Sequence, residues 1–132
     1  MEELIEHIIV IQENSKCRIV PYVKGTVSEQ LHQLQAIVGG NIERAAEDDS
    51  GHTLFVNEEG PFRKAKINWL ATKIMGWAQI YGTAVIARTV IDGDGEVIIC
   101  GMDINEAVTY LRELAQKLNH TILIEVGGDT EC

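Results

Sequence analysis

Three acidic clusters are the residues whose types and spacing could do chemistry: Glu47-Asp48-Asp49, Glu58-Glu59, and Asp92, Asp94 and Glu96. Paired carboxylates serve general acid–base catalysis when one of them is buried and its pKa is raised. All three clusters sit in or beside glycine-bearing turns, where water keeps a carboxylate ionised. The reading they favour is therefore an acidic docking surface, and a hydrolase using Glu58 or Asp94 as base is the weaker alternative. The run Asp92-Gly93-Asp94-Gly95-Glu96 resembles a calcium loop, but an EF-hand needs a third oxygen ligand at its fifth position and a bidentate Glu at its twelfth. Here glycine falls at the fourth position and an apolar strand follows, so a hairpin turn is expected.

The opposite chemistry is concentrated at Arg63, Lys64, Lys66 and Lys73, with Trp69 and Trp77 nearby. Cations interleaved with aromatics can hold a phosphate or a nucleotide ring, and a helix N-terminus beside them would favour an anion. This set defines the alternative reading, a protein that binds or sequesters a nucleotide or anion. A solvated helix face is the plain reading of the same residues. His7, His32, His52 and His120 show no HxxxH or HxH spacing, and Cys17, Cys100 and Cys132 no CxxC spacing. A zinc site would have to converge His52, His120 and a cysteine through the fold. Neither metal nor other cofactor is expected. No GxGxxG, Walker loop, GxSxG or HExxH is present, and Gly39-Gly40 lacks the third glycine and lysine of a phosphate loop. A non-enzymatic protein is expected.

The elements that must position these residues are legible in the pattern of apolar residues. His7–Gln12 and Arg18–Val23 are β-branched runs around a polar turn, with Pro21 demanding an edge or a bulge. Thr26 and Glu29 form a capping box for a helix whose stripe is Val27, Leu31, Leu34 and Val38, ended by Gly39-Gly40. Asn41–Glu47 and His52–Asn57 make a hairpin around Asp48–Gly51. A helix over Arg63–Trp77 carries Ile67, Leu70, Ala71 and Ile74. Ala84–Val90 and Glu96–Cys100 form another hairpin, with Gly93 and Gly95 placed where positive φ is needed. Asp103 and Glu106 read as the capping box of a last helix, with Ile104, Val108, Leu111, Leu114 or Ala115, and Leu118 on its buried face. Thr121–Val126 is a final strand, and the tail after it is expected to fray. The order ββαββαββαβ predicts one α+β domain over residues 1–132, with a mostly antiparallel sheet and about three helices.

Composition bounds the rest. The chain has 132 residues, 45% of them hydrophobic and 23% charged, as in a globular domain with a real core. No apolar run approaches the ~20 residues that span a bilayer, and the acidic start MEELIEH is unlike a secretory signal, so a cytoplasmic setting without membrane contact is expected. An odd number of cysteines in that setting argues against a disulfide framework. Twenty acidic residues against eleven basic ones give a net charge of −9. Direct nucleic-acid binding, which needs cations to neutralise phosphates, is disfavoured, and a partner with a basic surface is favoured. Homo-oligomer formation is left open.

At Leu34–Ala45 (LQAIVGGNIERA), Leu54–Gly60 (LFVNEEG) and the N-x-x-A-T of Asn68, Ala71 and Thr72, the sequence resembles the small bacterial and phage proteins grouped as domain of unknown function 3846. Members similarly run a helix into a VGG-x-I-E strand, end a strand in VNEEG, centre a helix on Asn-x-x-Ala, and set a glycine before the next strand. The matching positions are Val38-Gly39-Gly40, Ile42-Glu43, Val56–Gly60, Asn68 with Ala71, and Gly82–Val85. The resemblance covers about residues 8 to 102. The helix and strand from Asp103 to Val126 are placed outside it, and the usual G-L-P-x-N approach is replaced here by Pro61–Asn68. The family brings no settled activity. The resemblance implies a gene carried by phages and mobile elements, whose small acidic proteins commonly bind something in the host. The expectation drawn from it is inhibition of a host protein in the host cytoplasm, in its sharpest form a defence nuclease such as a CRISPR effector.

Overall fold

The computed structural model describes residues 5–60 and 65–127. The elements follow the expected order: β1 His7–Ile11, β2 Cys17–Pro21, α1 Val27–Val38, β3 Ile42–Glu47, β4 His52–Asn57, α2 Trp69–Met75, β5 Ala84–Ile91, β6 Val97–Cys100, α3 Ile104–Leu118 and β7 Ile124–Val126. The strands form one seven-stranded sheet in the order β3-β4-β5-β1-β2-β7, with β6 paired to β5. Every pairing is antiparallel except β2 with β7.

Both faces of the sheet are covered, which explains why β1 is apolar without alternation. Successive side chains point to opposite faces. Ile8, Phe55, Val85 and Ala87 pack with Leu34 and Val38 of α1, whereas Ile9, Ile11, Leu54, Ala84 and Ile86 pack with Leu70 of α2 and Leu111 of α3. The molecule is thus a three-layer sandwich, α1 on one face and α2 with α3 on the other.

Three hairpins share one turn geometry. The amide of the first turn residue donates to the carbonyl of the fifth, and the amide of the fourth donates to the carbonyl of the first, at Gln12–Lys16, Asp48–His52 and Asp92–Glu96. The fourth residue takes left-handed φ: Ser15 at 69°, Gly51 at 88° and Gly95 at 82°. This is the G1-bulge hairpin, which asks for glycine at that place. Gly95 meets the requirement expected of both glycines in its turn. Gly93 does not adopt positive φ.

Four further expectations are corrected. Val27 and Leu31 do not belong to the buried stripe of α1, being 79% and 36% exposed, because the helix leans on the sheet through Leu34 and Val38 near its C-terminal end. α2 is shorter than expected and begins only at Trp69, because Asn68 caps it. β7 is confined to three residues by the short stretch of β2 that it can pair with. Asp103 caps α3 by accepting the Glu106 amide, but Glu106 does not reach back to complete the box. Pro21 sits at the exposed end of β2, past the residues that β7 pairs.

Candidate functional site

The residues shared by the quoted sequence motifs turn out to be structural joints. Asn68 is fully buried and leaves no polar atom idle. Its Nδ2 donates to the carbonyls of Ile11 (3.0 Å) and Gly82 (2.8 Å), and its Oδ1 accepts the Ala71 amide at 3.1 Å. The next orphan amide of α2, that of Leu70, donates to Ser15 Oγ at 3.3 Å. Asn57 Nδ2 donates to the Val38 carbonyl at the end of α1, and its Oδ1 accepts the Glu59 amide at 2.7 Å. Gly40 is required beside it, since a Cβ there would lie 2.7 Å from Asn57 Nδ2.

Among the described residues, the cation and aromatic set is not gathered into one site. Arg63 and Lys64 lie outside the described residues. Lys66 and Trp69 line an open hollow with Glu13, Trp77 lies against a second beside Arg44, and Lys73 faces a third. At the start of α2 the Leu70 and Ala71 amides are taken by Ser15 and Asn68, which leaves fewer free donors for an anion there.

The acidic turns are separated too. Gly51 faces Thr89 across β4 and β5, so the Asp48–Gly51 and Asp92–Glu96 turns leave the same end of the sheet. Glu58 and Glu59 follow the far end of β4, about 20 Å away at ~3.3 Å per residue. Asp92 caps its own turn by accepting the amides of Asp94 and Glu96, both at 2.9 Å. Asp94, Glu96, Glu58 and Glu59 are exposed.

Around Glu47-Asp48-Asp49 the fold adds residues that spacing did not reveal. Asp48 Oδ1 accepts the amides of Ser50 and His52, and its Oδ2 meets His52 Nδ1 at 2.9 Å. The other ring nitrogen, Nε2, meets Glu106 Oε2 at 2.9 Å. Arg88 stands 3.6 Å from the same Glu106 oxygen. The Tyr110 ring covers the imidazole with centroids 4.6 Å apart. His52 therefore clamps the β3–β4 turn to α3. Burial opposes ionisation of Asp48, yet the hydrogen bonds and charge of His52 and the Ser50 amide outweigh it and hold its carboxyl below the usual range. Burial above all, and then the charge of Asp48, keeps the Tyr110 phenol protonated.

Beside this clamp a cleft of about 460 Å³ opens between the β3–β4 turn, α2 and α3. Glu47, Asp49 and Glu113 stand on its walls, as do Lys73 and Lys117, over apolar residues that include Leu54 and Leu118. Lys73 Nζ reaches His120 Nδ1 at 3.0 Å, so His52 and His120 serve different partners. Among the described residues no group of three or more His, Cys, Asp or Glu is placed to hold a metal ion. With both ring nitrogens engaged by carboxylates, His52 has no face left for a substrate proton. Cys17 is fully buried and its thiol is pushed up to about 12 by that burial. Burial, followed by the nearby Glu6 charge, raises Cys100 as well, so neither is a ready thiolate nucleophile.

Glu113, Lys117 and Tyr110 carry no sequence signal because they occupy ordinary α3 positions, and Glu106, expected to complete a capping box, serves His52 instead.

Among protein families, the model of domain of unknown function 3846 matches residues 5–123. The match includes α3. Neither the curated proteins nor the solved structures yield a match.

Proposed function

The chain belongs to the family grouped as domain of unknown function 3846, and from that premise we propose that it is a non-enzymatic binding protein whose acidic end docks onto the basic surface of a partner protein. The observation that carries this reading is the convergence of two elements remote in sequence. The β3–β4 turn brings Glu47, Asp48 and Asp49 beside Asp103, Glu106 and Glu113 of α3 and its cap, and two hollows on either side of His52 are lined by these carboxylates. A partner that handles nucleic acid fits best, because its phosphate-binding groove presents the lysines and arginines that such a face complements. In its sharpest form the protein is a phage or mobile-element inhibitor that occupies such a groove on a host defence nuclease, for example a CRISPR effector.

The test is a tagged pull-down from bacterial lysate at low and high salt, set beside a Glu47→Lys/Asp49→Lys/Glu113→Lys variant. Asp48 is left intact because it holds the turn. The wild type is expected to retain a basic nucleic-acid-handling protein and to release it at about 0.5 M salt, where exposed charges are screened. The variant, melting at the wild-type temperature, is expected to retain none. Undiminished capture by a folded variant would overturn the proposal.

A further inference from the structure

The cleft beside His52 changes sign along its length. Its acidic pole lies at the β3–β4 turn, which His52 fastens to Glu106 on the first half of α3. From there α3 runs past Tyr110 and Glu113 to Lys117, and Lys73 of α2 is held against His120, just beyond the α3 C-cap. At ~1.5 Å per residue, Glu113 and Lys117 stand about 6 Å apart along the helix axis, with Asp49 of the turn farther out on the acidic side. Between the poles the floor is hydrocarbon: Leu54 and Leu114 are buried, and Ile74 and Leu118 are packed against the core.

The groups facing this space are not all equally available. Asp48 is consumed by the turn and by His52, and Glu47 is paired with Arg44 at 3.3 Å. Among the described residues, the side chains of Asp49, Glu113 and Lys117 make no hydrogen bond or ion pair. Two carboxylates and an ammonium are thus presented at the rim of a cleft whose size suits a small molecule. A ligand bearing one charge gains at one pole and is repelled at the other, and an uncharged ligand satisfies neither. Only a ligand with a cation and an anion separated by an apolar spacer uses the acidic pole, the floor and the basic pole together.

We infer that this cleft is a binding site for a small zwitterion of the ω-amino carboxylate class, its ammonium at Asp49 and Glu113 and its carboxylate at Lys117 and Lys73. This goes beyond the docking function, which uses only the acidic pole and needs no small ligand.

The test uses 6-aminohexanoate as probe, with hexylamine and hexanoate as single-charge controls, titrated into the isotopically labelled protein while the backbone amides of Tyr110, Glu113 and Lys117 are followed by NMR. The zwitterion is expected to give saturable shifts at those amides with a dissociation constant at least about tenfold below that of either control. Lys117→Gln, an exposed position that does not threaten folding, is expected to reduce the zwitterion to the level of hexylamine. Equal binding of all three compounds, shifts confined to other surfaces, or no saturation by about 50 mM would overturn the site. Because Lys117→Gln removes a positive charge, it leaves capture of a basic partner intact, so failure of the ligand site and failure of docking are read separately.

Discussion

Asn68 shows how much a single side chain can hold. One amide caps α2, ties it to the end of β1 through the Ile11 carbonyl, and ties it to the approach of β5 through the Gly82 carbonyl. Asn68→Ala removes a cap and strands two carbonyls, one of them in a fully buried setting. Each such loss costs about 1–2 kcal/mol, so a total of about 3–6 kcal/mol is expected in urea denaturation. Asn68→Asp keeps the cap acceptor but sets a buried carboxylate oxygen against the Ile11 and Gly82 carbonyls, and is expected to be at least as destabilising as Asn68→Ala. If Asn68→Ala unfolds at the wild-type urea concentration, the joint is not structural. The Asn-x-x-Ala signature was legible in the sequence, but its reason was not, since Ile11 and Gly82 lie 57 and 14 residues away.

At the scale of elements, the turns carry the clearest rule. Gly95 takes φ of 82° whereas Gly93 does not take positive φ, and an added Cβ would meet open space at both. The difference between them is therefore conformational alone. Gly95→Ala is expected to cost about 1–2 kcal/mol, and Gly93→Ala to be neutral or slightly stabilising through the unfolded chain. Thermal melts of the two variants check this, and equal melting temperatures would contradict the assigned turn. The sequence placed both capping residues Thr26 and Asp103 correctly, because caps act within one turn of helix. It misassigned Val27 and Leu31, because helical spacing marks a stripe without saying how far along the helix the sheet extends.

Across the whole molecule the unexpected feature is the clamp of His52 between Asp48 and Glu106, which joins one hairpin to one helix at the acidic end. Asp48 has a folded pKa below its unfolded value, so it stabilises the fold fully above that unfolded value and loses the contribution as pH falls through the folded one. Asp48→Asn keeps the acceptor for the two turn amides but not the charge facing His52. The urea midpoints of wild type and variant should therefore differ above the ordinary carboxylate range and converge as pH falls through the lowered Asp48 value. A gap that stays constant across that range would show that the charge contributes nothing. No helix among the described residues is long and apolar enough to cross a membrane. The sequence alone determined the element order, the antiparallel character of the sheet, the turn positions and the family motifs, because periodicity, capping and glycine conformation are local and act within a few residues. Tertiary structure decided which carboxylates meet, that Lys66 and Trp69, Trp77, and Lys73 line three separate hollows, and that Glu106 serves His52 from 54 positions along the chain. Those outcomes depend on strand order and on the side of the sheet each helix covers. No local pattern encodes either, because both are fixed by burying two apolar faces at once.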